Sequence, residues 1–122
     1  MKEFKSFASF SVNDINKARE FYSGILNLDS VSEPVETVLM YETGGDTRFM
    51  VYQKDDHQPA GHTVLNFEVG DIEAVVDQLI DKGVNLEHVE DANEKGIAER
   101  GPIRAAWSKD PAGNWIGFFQ GV

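Results

Sequence analysis

Phe10-Ser11-Val12-Asn13-Asp14-Ile15 returns fifty-seven residues later as Phe67-Glu68-Val69-Gly70-Asp71-Ile72. Each copy joins an alternating stretch to a segment of about a dozen residues with apolar positions at helical spacing. Two copies are too few for a solenoid, so the repeat predicts two half-domains completing one another around a shared space. Such spaces hold ligands.

Around the first copy, Ala8, Phe10 and Val12 fall on one face of a strand spanning Phe4 to Val12, and Phe7, Ser9 and Ser11 on the other. Asn13 or Asp14 suits a helix N-cap, because a short side-chain oxygen satisfies the free amides of a first turn. Ile15, Ala18, Phe21, Tyr22 and Ile25 then form one helical stripe, with Gly24 near its end as the expected left-handed residue. A short strand at Asp29 to Ser32 precedes paired strands at Val35 to Tyr41 and Arg48 to Gln53, joined by the polar, glycine-bearing Glu42 to Thr47. Lys54 to Gly61 reads as the crossing between halves.

The second half repeats the order. Thr63 to Val69 alternates, Asp71 starts a helix with the stripe Ile72, Val75, Val76 and Leu79, and Gly83 is its expected C-cap. A short strand near Val84 to Val89, a charged loop and a strand at Ile103 to Ser108 come next. The turn Asp110-Pro111-Ala112-Gly113-Asn114 then returns the chain as Trp115 to Gln120. Each half thus reads as strand, helix, three strands. The expected fold is α+β: two tandem βαβββ modules, 1–56 and 62–122, forming a curled mixed sheet around a cavity in a single domain.

Composition narrows the function classes. The 122 residues carry 21 Asp plus Glu against 11 Lys plus Arg, a net charge of -10, which repels a phosphate backbone and argues against nucleic acid as a partner. The acidic run Glu87 to Glu94 reads as a solvated turn. No cysteine is present, which excludes thiol catalysis and disulfides and fits a reducing compartment. No apolar run is long enough for a signal peptide or membrane span, so the reading is a cytoplasmic protein with no membrane partner. Phosphate loops, nucleophile elbows and serine–histidine–acid arrangements are missing from the sequence.

The doubled strand-to-helix junction, with Val12-Asn13-Asp14-Ile15 in one half and Asp110-Pro111-Ala112-Gly113-Asn114 in the other, resembles the vicinal oxygen chelate superfamily. That superfamily includes glyoxalase I, bleomycin-resistance proteins and extradiol dioxygenases, and the likeness spans essentially the whole chain. It implies paired βαβββ units around a ligand cavity, often completed in a homodimer. In metal-using members, side chains at four equivalent points hold a divalent cation. Carried onto this sequence, those points are Phe7, Val64, Gly117 and either Met50 or Val51. None offers the oxygen or imidazole ligands that a hard or borderline ion needs, so the resemblance implies no metal and no other cofactor.

What the resemblance leaves is a pocket. Alternation puts Trp115, Gly117 and Phe119 on the expected ligand face, with Ile116 and Phe118 beneath the helices. Phe7, Trp115 and Phe119, with Asn66 as donor and acceptor and Gly117 leaving room, suit a flat, partly apolar small molecule; the same aromatics could instead fill a core. Parity leaves Trp107 as pocket wall or dimer contact, and Tyr41 and Tyr52 as core or interface. Arg104 is a candidate for a ligand carboxylate or phosphate, or a strand-edge charge. His62, two residues before Val64, is a candidate acid or base, whereas His57 and His88 read as surface residues.

Three functions follow. The first is a metal-free small-molecule binding protein of the glyoxalase/bleomycin-resistance type, sequestering an aromatic or amphipathic ligand with no catalytic residue. The alternative is a glyoxalase- or dioxygenase-like enzyme, using a displaced metal site around His62 and Glu99 or acid/base groups alone. The third is a dimeric interaction module with a filled cavity.

Overall fold

The computed structural model describes residues 1–33 and 35–122 and shows a mixed α+β fold. The chain divides into two compact units, Met1–Gln58 and Pro59–Val122.

In the first unit, β1 (Ala8–Val12) leads into α1 (Ile15–Arg19), followed by β2 (Asp29–Ser32), β3 (Val38–Thr43) and β4 (Thr47–Gln53). The sheet order is β1-β4-β3-β2, with β1 and β4 parallel and the other pairs antiparallel. Phe10, Val12, Leu39, Tyr41, Phe49 and Val51 are buried on the side that receives Ile15, Ala18, Phe21 and Tyr22. Five of these residues form an aromatic cluster. The Tyr22 ring lies 4.9 Å from Phe21, 5.8 Å from Tyr41 and 5.9 Å from both Phe10 and Phe49. Tyr41, read from sequence as core or interface, is core.

The expected helix end is different in kind. Beyond α1 the chain widens into a π-helical turn over Glu20–Ile25, in which the Leu26 amide donates to the Phe21 carbonyl at 2.9 Å. Gly24 stays inside that turn, and the left-handed residue is Asn27, φ 56°. Asparagine tolerates this region because its short polar side chain relieves the Cβ conflict. The π turn adds a residue to the helical path and so moves the stop downstream.

Burial lifts the Tyr41 hydroxyl above its ordinary value of 10.0, partly offset by its 2.8 Å hydrogen bond with the Ser23 hydroxyl. Folding therefore favours the neutral phenol. That contribution is complete below a pH of about 10 and is lost as pH rises through the elevated value. Denaturant midpoints taken at pH 8 and pH 11, as rough brackets of this window, should fall less in Tyr41→Phe than in the parent chain. An equal fall in both would remove Tyr41 as the cause.

In the second unit, β5 (Thr63–Glu68) leads into α2 (Ile72–Asp81), then β6 (Leu86–Glu87), β7 (Ala98–Arg100), β8 (Ile103–Lys109) and β9 (Trp115–Gln120). The order β5-β9-β8-β6 again joins first and last strands in parallel. The sequence missed β7, because three residues in a charged loop show no period; its pairing to β8 makes it a strand. Gly83 ends α2 as expected. Its φ is 85°, its amide meets the Ile80 carbonyl, and the Val84 amide reaches the Leu79 carbonyl at 2.9 Å. Ile72, Val76 and Leu79 are buried, each contributing roughly 1.5–3 kcal/mol of transfer free energy.

Both units cap their helices alike. Asp14 Oδ1 accepts from the Asn16 and Lys17 amides, and Asp71 Oδ1 from the Ala74 amide. In addition, the last residue of each final strand reaches back to the helix start. Gln53 Oε1 accepts from the Ile15 amide at 3.0 Å, and Gln120 Oε1 from the Ile72 amide at 2.8 Å. Gln120→Ala leaves the Ile72 amide without that acceptor and should cost about 1 kcal/mol in urea unfolding. A change below about 0.3 kcal/mol would mean that water replaces the glutamine freely.

Candidate functional site

The second sheet has two unlike sides. Toward α2 it presents Ala106, Ser108, Ile116 and Phe118, all buried. On the other side the register sets Asn66 beside Gly117 and Gly117 beside Trp107, one row across β5, β9 and β8. Trp115 stands between Thr63 and Lys109 in the row above, and Phe119 between Glu68 and Ala105 in the row below. This side is half-buried at Trp107, Trp115 and Phe119 and exposed at Asn66.

Five of the sequence-chosen residues therefore meet on one surface: Asn66, Trp107, Trp115, Gly117 and Phe119. Parity left Trp107 undecided. The turn settles it, because the Gly113 amide bonds the Asp110 carbonyl at 3.0 Å and the Asp110 amide bonds the Asn114 carbonyl at 2.9 Å, which pairs Lys109 with Trp115 and hence Trp107 with Gly117.

Gly117 differs from expectation. The sequence reading gave its missing side chain to the ligand, whereas neighbouring side chains already lean over it. A Cβ built there would collide with Asn66 Oδ1 and lie 2.7 Å from Phe119 Cε1 and 3.2 Å from Trp107 Nε1. Glycine at this point lets three side chains converge over one strand. Trp107 and Phe119 meet edge to face, with centroids 5.5 Å apart at 87°, the arrangement favoured by ring quadrupoles.

Lys109 and Glu87, which the sequence pattern does not single out, border the same face. Lys109 Nζ lies 4.9 Å over the Trp115 ring and 3.7 Å from Glu87, and Glu87 pairs in register with Trp107. Lys109 is the residue before the turn, two from Trp107 and so on the same side.

Arg104 and His62, also in the second unit, are not part of these rows. Arg104 is on the α2 side of β8, where its guanidinium donates to Glu73 at 3.1 Å. Its Nε is buried without a hydrogen-bond partner, beside a cleft of about 290 Å³ lined by Asp91, Asn93, Ile97, Glu99 and Arg104. Two carboxylates in that lining disfavour an anion. His62 is exposed one residue before β5. Phe7 belongs to the first unit and is 48% exposed, with the Arg48 guanidinium 5.7 Å from its ring centre. His57, read as a surface residue, is part-buried, its Nδ1 2.7 Å from Ser11 Oγ. Tyr52 is half-buried, next to Ser11 and Val38 in register.

Four positions correspond, by the family resemblance, to the points at which metal-using relatives hold a cation. Ser9 pairs with Met50 as Asn66 pairs with Gly117, while Val51 is fully buried on the α1 side, so Met50 is the equivalent position. Val64 falls in the register shift between Thr63 and Leu65. The set is then Phe7, Met50, Val64 and Gly117: two hydrocarbons, a glycine covered by neighbours, and a thioether that suits soft ions alone. A divalent oxygen-loving ion does not fit these residues. Among the described residues no three His, Asp or Glu side chains cluster as a metal site elsewhere.

Residues 6–118 match the sequence profile of the Glyoxalase/Bleomycin resistance protein/Dioxygenase superfamily. No curated protein sequence matches the chain. Among solved structures, TnmS3, an antibiotic binding protein from Streptomyces sp. CB03234, is 25% identical over 97% of each chain, with a TM-score of 0.74. A glyoxalase/bleomycin resistance protein from the same organism is 27% identical over 93% of this chain and 98% of its own, at 0.68. The fosfomycin resistance protein FosX from Listeria monocytogenes is 16% identical over 100% of this chain and 96% of its own, at 0.77, a likeness of fold alone. No described helix is long and apolar enough to cross a membrane.

Proposed function

Because the chain belongs to the Glyoxalase/Bleomycin resistance protein/Dioxygenase superfamily, we propose that it is a metal-free binding protein that sequesters a flat, aromatic or amphipathic small molecule, working as a homodimer in the cytoplasm. The observation that carries this reading is the side of the second sheet away from α2, where half-buried Trp107, Trp115 and Phe119 share a face with the exposed amide of Asn66. A sheet face built only for solvent would carry charged or hydroxyl side chains, since half-exposed tryptophans gain little from water. The likeness to an antibiotic binding protein over nearly the whole of both chains supports the same reading.

Thermal unfolding against a panel of planar aromatic compounds tests it. A compound held by the folded state alone raises the melting temperature with its concentration, and Trp107→Ala should weaken that compound about tenfold or more, as loss of a buried aromatic contact does. The reading fails if no compound in a broad panel shifts the transition. It also fails if chelator-free protein carries about one tightly held divalent ion per chain, a result that would favour the enzyme alternative.

A further inference from the structure

The row Asn66, Gly117, Trp107 carries more than apolar surface. The bare strand at Gly117 lets an acceptor and a donor approach the same point: Trp107 Nε1 comes within 3.2 Å of where a Cβ would stand, and Asn66 Oδ1 comes closer still. The indole nitrogen can only donate. The asparagine presents its oxygen at that point. Neither group is used in a hydrogen bond among the described residues. Two further side chains restrict the charge of what binds. Glu87 stands beside Trp107 and Glu68 beside Phe119, and Lys109 is engaged with Glu87 at 3.7 Å. An anion would meet the Glu68 carboxylate at the Phe119 end, while at the Trp107 end the Lys109 charge is already shared with Glu87.

Resting on the small-molecule reading above, we propose that this surface selects neutral planar ligands whose edge carries a carbonyl next to an N–H, as in a ring lactam. The carbonyl accepts from the Trp107 indole N–H, and the lactam N–H donates to Asn66 Oδ1. This is the reciprocal pairing that two amides make with one another. A carboxylate edge offers two acceptors and no donor, so it leaves Asn66 Oδ1 facing an oxygen. A purely hydrocarbon ring fills neither group, and both then lose their water without replacement.

The full chain, labelled with ¹⁵N at tryptophan, is titrated with carbostyril, a bicyclic lactam, with its N-methyl derivative and with naphthalene; Trp107→Phe assigns the indole resonances. Carbostyril should move the Trp107 indole N–H downfield and bind about tenfold more tightly than the N-methyl compound, the upper end of what one hydrogen bond contributes. That preference should vanish in Asn66→Ala, an exposed position whose loss leaves the fold intact. Equal binding of all three compounds, with no change in Trp107→Phe, overturns the lactam inference and leaves aromatic binding standing. If none of the three shifts either indole resonance, both the inference and the aromatic-site reading fail.

Discussion

Asp110→Ala should be among the most damaging substitutions in the chain, lowering stability by about 3–5 kcal/mol, because each buried N–H left unpaired costs about 1–3 kcal/mol. Asp110 is 4% exposed. One carboxylate oxygen accepts from the Ala112 and Asn114 amides, both at 2.9 Å, and the other from Asn114 Nδ2 at 3.0 Å. Three donors surround a charge that would otherwise be costly to bury. Alanine removes the shared acceptor of two amides and of the Asn114 side chain, itself 2% exposed, at the point where β8 turns into β9. Asp110→Asn is the discriminating control. Its oxygen retains the two backbone bonds and only the third contact must rearrange, so it should lose about 1–2 kcal/mol. Urea unfolding of the two variants checks the ordering; equal losses would show that charge rather than the donor count governs the turn.

A comparable loss is expected in the first unit from Tyr22→Ala, about 3–5 kcal/mol, in line with aromatic truncations in packed cores. Tyr22 is fully buried, and four aromatic rings stand within 5.9 Å of its own. They come from β1, the helical segment, β3 and β4, so the cavity cannot close by the shift of one side chain. For a chain of this length the loss corresponds to a melting temperature lower by on the order of 10–20 °C. Tyr22→Phe keeps the ring and should cost under about 1.5 kcal/mol. A drop of less than about 5 °C in the alanine variant would mean that the cluster repacks.

The legible parts of the sequence were those where period and turn chemistry agree. β9 was read as Trp115 to Gln120 and observed as Trp115–Gln120, because the Asp110 to Asn114 turn marks its start and alternation marks its faces. The caps at Asp14 and Asp71 and the stop at Gly83 follow from local hydrogen bonding, which depends on neighbours in sequence. Asn27 in place of Gly24 was not legible, because the π turn that carries buried Phe21 and Tyr22 has no signature in the spacing of the apolar residues. β7 escaped for a related reason, since its three residues become a strand only by pairing with β8.

The candidate site divides in the same way. Asn66, Trp107, Trp115, Gly117 and Phe119 share one face of the second sheet, because side chains alternate along a strand whatever surrounds it. Arg104 was drawn in by its chemistry alone; its position two residues from Ala106 puts it on the α2 side, with Glu73.

By itself the sequence determined the repeated strand-to-helix junctions, their caps and turns and the alternating faces of the strands. All of these are set by covalent order and by contacts a few residues apart. Only the tertiary structure decided that Trp107 joins the aromatic surface, that the space over Gly117 belongs to Asn66, Trp107 and Phe119, and that Gln53 and Gln120 cap helices from distant strands. Those outcomes depend on cross-strand register and side-chain volume, which arise when segments remote in sequence compete for the same space.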